Sequence, residues 1–200
     1  MHNRESKAAI VIAILFEVIL IYTGIIDIIL SQWKELAQTC LAIACIPIPF
    51  ILTKWANRRK ILLPFNFQIL AVWFITFSLY FGEIMKFYEM IWWWDLFLHG
   101  TFGAYTVIIG VYLVKGVFSK EFDATKKRFA ILIAIFAFSL SIASGTLWEV
   151  FEYFGDLLLK TDMLDNGFED TMLDLIINSI FSFITAIIYY FVTKINNRTN

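Results

Sequence analysis

The stretch KKRFAILIAIFAFSLSIASGTLWEVFE, from Lys126 to Glu152, decides how the rest of this chain is read. Basic residues stand at its start, two carboxylates stand at its end, and an uncharged run from Phe129 to Trp148 separates them. Coiled as a helix at about 1.5 Å per residue, that run covers about 30 Å, the thickness of a bilayer's hydrocarbon core. A core helix of a soluble domain would be interrupted by polar residues long before this. The stretch therefore predicts a membrane span with a basic end and an acidic end.

The same pattern recurs outward in both directions. Of the 200 residues, 60% are hydrophobic and only 16% are charged, whereas soluble domains keep about a quarter of their residues charged. Mean hydropathy is +0.75. The apolar residues come in blocks, which predict an all-α polytopic membrane protein with six transmembrane helices. The spans fall near 8–30, 35–53, 65–85, 95–114, 129–153 and 171–193. No repeat, low-complexity tract or linker divides them, so a single domain is expected. Arg4 and Lys7 precede the first block as in a signal peptide, but the block runs on to about Leu30 without a small-residue cleavage site. Pro47 and Pro49 predict a kink in the second span. Cys40 and Cys45, five positions apart on one helix, point in different directions and predict neither a disulfide nor a metal pair.

Charge sets the expected orientation. Of the 16 Lys and Arg residues, all but Lys34, Lys86 and Lys160 collect on one side of the six spans. That asymmetry places both termini in the cytoplasm of a cell membrane. Trp92, Trp93 and Trp94 then form an aromatic anchor at the outer interface. The net charge of -1 and the short basic clusters give no support for nucleic-acid binding; the bilayer is the expected partner, and the oligomeric state is left open.

With orientation fixed, depth follows from counting along each helix. Asp95 and His99, Glu149 and Glu152, and Asp170 and Asp174 all reach one layer on the outer side, with Asn178 a turn deeper. Asp27 and Glu83 arrive at the same level from the first and third spans. Residues three or four apart share a helical face. Ser141, Gly145, Glu149, Glu152 and Asp156 thus make one stripe, and Asp95, His99, Thr106 and Gly110 make another. Polar groups at membrane depth turn toward the bundle interior, so the stripes are expected to face one another around an outward-opening pocket.

Six or more confined carboxylates cannot all remain ionised without a cation. A divalent metal (Mn, Fe, Zn or Mg) resolves this, and the absence of thiolates disfavours Cu(I) and cluster chemistry. The candidate ligands are Asp95, His99, Glu152, Asp170 and Asp174. Glu149 is the candidate general base for a metal-bound water, with Asp27, Glu83, Asp156 and Asn178 behind the ligands. Plainer roles exist for the same residues. Asp95 and Asp170 are natural N-caps, whereas Glu149 and Glu152 at a helix C-terminus would oppose its macrodipole and need compensation. Glu17, in the middle of the first span, is either a neutral glutamate paired with Gln68 or a serine, or a proton relay. The acidic segment from Asp162 to Asp170 lacks EF-hand spacing and is expected to be a solvated loop, and His2 has no assigned role.

The motifs Asp-x-x-x-His-Gly at 95–100, Glu-x-x-Glu at 149–152 and Asp-Thr-x-x-Asp at 170–174 resemble those of the YjdF-type bacterial inner-membrane proteins. The resemblance covers roughly residues 90–182 and implies a polytopic cell-membrane protein whose polar signature is Asp95, His99, Glu149, Glu152, Asp170 and Asp174. The chain departs from that pattern with Tyr153 in place of a Trp and Phe181 in place of a Gly. Three functions remain in view. One is a metal-dependent membrane enzyme acting on a lipid or lipid-linked substrate. The others are an ion- or proton-coupled transporter using Glu17, and a structural or partner-binding membrane protein.

Overall fold

The computed structural model describes residue 3 and residues 5–117, 126–159 and 167–196. His2 and most of the acidic loop, including Asp162, lie outside the described residues, as do Arg4, Lys120, Lys160 and Arg198 of the charge pattern. All regular structure among the described residues is helical.

Helix α1, Lys7–Ile29, is capped by Ser6, whose hydroxyl accepts from the Ala9 amide at 3.3 Å. The chain reverses at Ser31 in a left-handed conformation (φ 56°). It then forms α2, Trp33–Cys45, and α3, Ile48–Arg58. The break between them falls at Pro47, whose ring nitrogen cannot continue the amide ladder, which is the kink expected of this span. Helix α4, Phe67–Ile75, passes directly into a π-helical segment, Thr76–Ile84. A short α5, Phe87–Met90, precedes α6, Trp94–Val117, α7, Lys126–Leu159, and α8, Phe168–Asn196. Six helical stretches are long and apolar enough to cross a membrane: Lys7–Ile29, Trp33–Arg58, Phe67–Ile84, Trp94–Gly116, Arg128–Leu158 and Phe168–Lys194.

Two groups of helices make up the bundle. Helices α6, α7 and α8 pack closely on one another, and α1, α2, α4 and the π-helical segment form the second group. The second group is centred on Phe16, Leu20, Ile46, Val72 and Leu79. Val107, Val111, Ile133, Ala137 and Ala186 fill the interior of the α6–α7–α8 group. Outward faces are apolar as well: Val11, Ile14, Val18, Ile21 and Ile25 on α1 are all more than half exposed. In water such a stripe would be an aggregation surface; in a bilayer it is the lipid face.

Three expectations need correction. Helix α7 continues to Leu159, so Glu149 and Glu152 lie inside it and not at its C-terminus. Their charge therefore meets no unpaired terminal carbonyls, and the macrodipole is not what they must be compensated against. Helix α8 begins at Phe168 and α6 at Trp94, which puts Asp170 and Asp95 in first turns and not at cap positions. Trp92 and Trp93 are exposed, but Trp94 is buried, with its ring against Phe77 and Phe87 and its Nε1 donating to the Phe77 carbonyl at 3.3 Å. Only the first two tryptophans are available as an interfacial anchor.

Candidate metal centre

The first turn of α6 supplies Asp95 and, one turn further on, His99. The imidazole is 3% exposed and lies between two helices' carboxylates. Its Nε2 is 3.5 Å from Asp95 Oδ1 and its Nδ1 is 3.6 Å from Glu149 Oε1. Helix α7 contributes Glu149 and Glu152, three residues apart on the stripe that also buries Ser141 and Gly145. Trp148 Nε1 donates to Glu152 Oε1 at 2.7 Å and fixes that carboxylate. Helix α8 brings Asp174, 2% exposed.

These side chains form two overlapping groups. In Asp95, His99 and Asp174, and again in His99, Glu149 and Glu152, one ligand atom per residue lies within 4.8 Å of the others. Within this cluster His99 Nε2 and Asp174 Oδ1 have no partner at hydrogen-bonding geometry among the described residues; Glu149's oxygens have none at that geometry either, although the Thr171 side chain is near enough to act on the carboxylate as a donor. A buried polar atom without a partner is unfavourable by about 1–3 kcal/mol, more when charged, and a cation or a proton could satisfy the carboxylate oxygens of this cluster. Asp170 is half-buried at the rim. Its charge bears on both Glu149 and Asp174, but it belongs to neither group.

Below the cluster a hydrogen-bonded floor ties the three helices together. Ser141 Oγ on α7 donates to the Gly103 carbonyl of α6 at 2.9 Å and lies 2.7 Å from Ser182 Oγ of α8. Ser182 Oγ donates to the Asn178 carbonyl at 2.6 Å, and Asn178 Nδ2 donates to the Ser141 carbonyl at 3.4 Å. Close approach is what makes this floor possible. A Cβ on Gly103 would stand 2.6 Å from the Asn178 backbone carbonyl oxygen. Asn178 is thus part of the floor under Asp174. The unusual Phe181 is accommodated one turn below Asn178, its ring against Gly100 at 3.2 Å from where a Cβ would be; Tyr153 is exposed on the outer face.

Asp27 and Glu83 lie outside the cluster. Asp27 Oδ2 accepts from the Thr39 hydroxyl at 2.9 Å, and Glu83 Oε2 accepts from Gln38 Nε2 at 2.8 Å. Both line a separate cavity of ≈ 210 Å³ between α1, α2 and the π-helical segment, together with Lys34, Lys86 and Tyr88. Asp156 is half-buried on α7, outside both ligand groups. Glu17 is half-buried on α1. Gln68, its expected partner, instead accepts from the Ser6 amide at 2.6 Å.

Tyr88 stands between the cavity and the cluster, and sequence reasoning missed it. Its hydroxyl lies 3.0 Å from Ser78 Oγ. Its ring occupies the space that a side chain at Gly82 would need. Wider i→i+5 winding brings residues four and five apart to one face, so Ser78, Gly82 and Glu83 together receive the ring. Desolvation pushes the phenol well above its usual range. The charges of Asp95, Glu152 and Glu83 push the same way, against the Ser78 bond, so the hydroxyl stays protonated. Trp148 was also missed, although its i,i+4 spacing to Glu152 is visible in the sequence.

Fold and site together define a polytopic helical membrane protein with an acid-and-histidine cluster at one end of its bundle. The chain belongs to the family described as Predicted membrane protein (DUF2238), which matches residues 8–195. It is similar to a Thermotoga maritima protein described as uncharacterized, with 34% identity over 109 residues, 54% of this chain and 54% of that protein. The match thus spans about half of the relative's length. No solved structure matches the chain.

Proposed function

We propose that this is a cell-membrane protein of the YjdF-type group whose outward-facing cluster binds a divalent metal and acts as a metal-dependent enzyme on a lipid-related substrate. The observation that carries the metal is the convergence of Asp95, His99, Glu149, Glu152 and Asp174 with buried ligand atoms left without partners. Mn, Fe, Zn and Mg suit carboxylates with one imidazole. Asp95, His99, Glu152 and Asp174 supply ligands for one or two such ions, and Asp170 is a further ligand candidate at the rim. Glu149 would serve as the general base for a water, and a bound divalent ion would supply the lowering of that water's pKa. Orientation follows from the distribution of Lys and Arg, with both termini cytoplasmic and the cluster on the outer side. The cavity of ≈ 210 Å³ beside Tyr88 offers space for the polar part of a substrate, and the bilayer offers its apolar part a solvent.

Metal analysis of the purified chain tests this reading. Wild type is expected to carry stoichiometric metal that is lost in His99→Ala and Asp174→Asn. Absence of metal from wild type after loading with Mn, Fe, Zn and Mg in turn contradicts it.

A further inference from the structure

The two ligand groups share a single residue, and they share it through opposite atoms. His99 Nε2 faces Asp95 at 3.5 Å, in the group completed by Asp174. His99 Nδ1 faces Glu149 at 3.6 Å, in the group completed by Glu152. The two nitrogens of an imidazole point away from each other in the ring plane, so one ion cannot bind both. The carboxylates divide accordingly, two to each side of the ring.

From this geometry we infer that the centre holds two divalent cations, one on each side of His99, with the imidazole as the bridge between them. The inference rests on the metal-binding reading above and extends it. Charge supports two ions. Asp95, Asp174, Glu149 and Glu152 carry four negative charges when ionised, and three of the four are buried. One divalent ion leaves two of those charges uncompensated in a low-dielectric site, where an unpaired charge is strongly unfavourable; two ions match all four carboxylates, and only the single charge of the bridging imidazolate remains. Unpartnered atoms are found on both sides as well. Nε2 and Asp174 Oδ1 lie toward one ion, and both Glu149 oxygens toward the other. Glu149 can therefore give one oxygen to its ion and keep the other to accept a proton. A ring nitrogen ligates only without its proton, so the second ion displaces the remaining N–H proton, which passes to solvent. With metal–nitrogen bonds of about 2.0–2.1 Å, ions on opposite ring nitrogens lie about 6 Å apart, farther than the ~3.5–4 Å of the usual two-metal clamp.

The test uses the full chain in detergent, loaded with Mn²⁺ and freed of excess ion, with bound metal counted and electron paramagnetic resonance recorded. The expected result is two Mn²⁺ per chain with an exchange-coupled signal. Asp174→Asn and Glu152→Gln should each hold one ion with an uncoupled signal, and His99→Ala should lose the coupling and at least one ion. A single Mn²⁺ in wild type overturns the two-ion inference and leaves the metal-binding reading standing. No Mn²⁺ at any loading, with Fe, Zn and Mg also unbound, overturns both. Two ions that stay coupled in His99→Ala overturn the bridging role.

Discussion

Trp148 shows how much of the site depends on a single hydrogen bond. Its indole N–H fixes Glu152 at 2.7 Å, so Trp148→Phe removes that donor while keeping an aromatic ring, smaller than the indole, at the position. Losing such a support typically weakens metal affinity about 10–100-fold. Isothermal titration of the purified variant should find that drop with the fold intact, and an unchanged affinity would show that Glu152 needs no such support. Protons compete with metal for the same carboxylates and imidazole. Bound metal should therefore be retained near neutral pH and released progressively on acidification, as read by dialysis at a series of pH values. Retention rising as pH falls would contradict ligation by these groups.

Among elements, the decisive contact is the floor beneath the cluster. Gly103→Ala places a methyl group 2.6 Å from the Asn178 carbonyl oxygen and 2.8 Å from Ser182 Oγ. The carbonyl cannot rotate away, so α6 must move off α8. Overpacking of this kind destabilises by about 1–3 kcal/mol. A lower thermal midpoint in detergent together with lost metal is expected; a stable variant with full metal would separate the floor from the site. The helices and their buried stripes were legible because long apolar runs and i,i+4 spacing are properties of one chain segment. Lateral position was not. Asp27 and Glu83 line their own cavity, because which helices become neighbours is settled by packing between segments distant in sequence. Tyr88 was hidden for a related reason. Its place depends on a π-helical segment and on the missing side chain of Gly82, and neither leaves a periodic mark in the sequence. The span read from the sequence ends near residue 153, whereas α7 continues to Leu159 through Gly155 and Asp156.

At the scale of the whole molecule, an apolar exterior surrounds a polar cluster at one end of the bundle. The distribution of Lys and Arg supports our proposal that this end is the outer one, and labelling can check it in a chain with Cys40 and Cys45 replaced by serine. Lys86→Cys should react with a membrane-impermeant maleimide in intact cells, and Lys54→Cys only after permeabilisation; the opposite pattern would invert the molecule. The fold itself explains why the cluster can exist. Three helices held at close range by glycines and serines bring five ionisable groups together where lipid cannot reach them. The most direct measurement is an anomalous difference map from crystals of the Mn-loaded chain, collected at the manganese edge. A peak among Asp95, His99 and Asp174, with a second beyond the other face of the imidazole toward Glu149 and Glu152, is the predicted result. A map with no peak at the cluster, from crystals shown to contain manganese, would contradict a metal centre there.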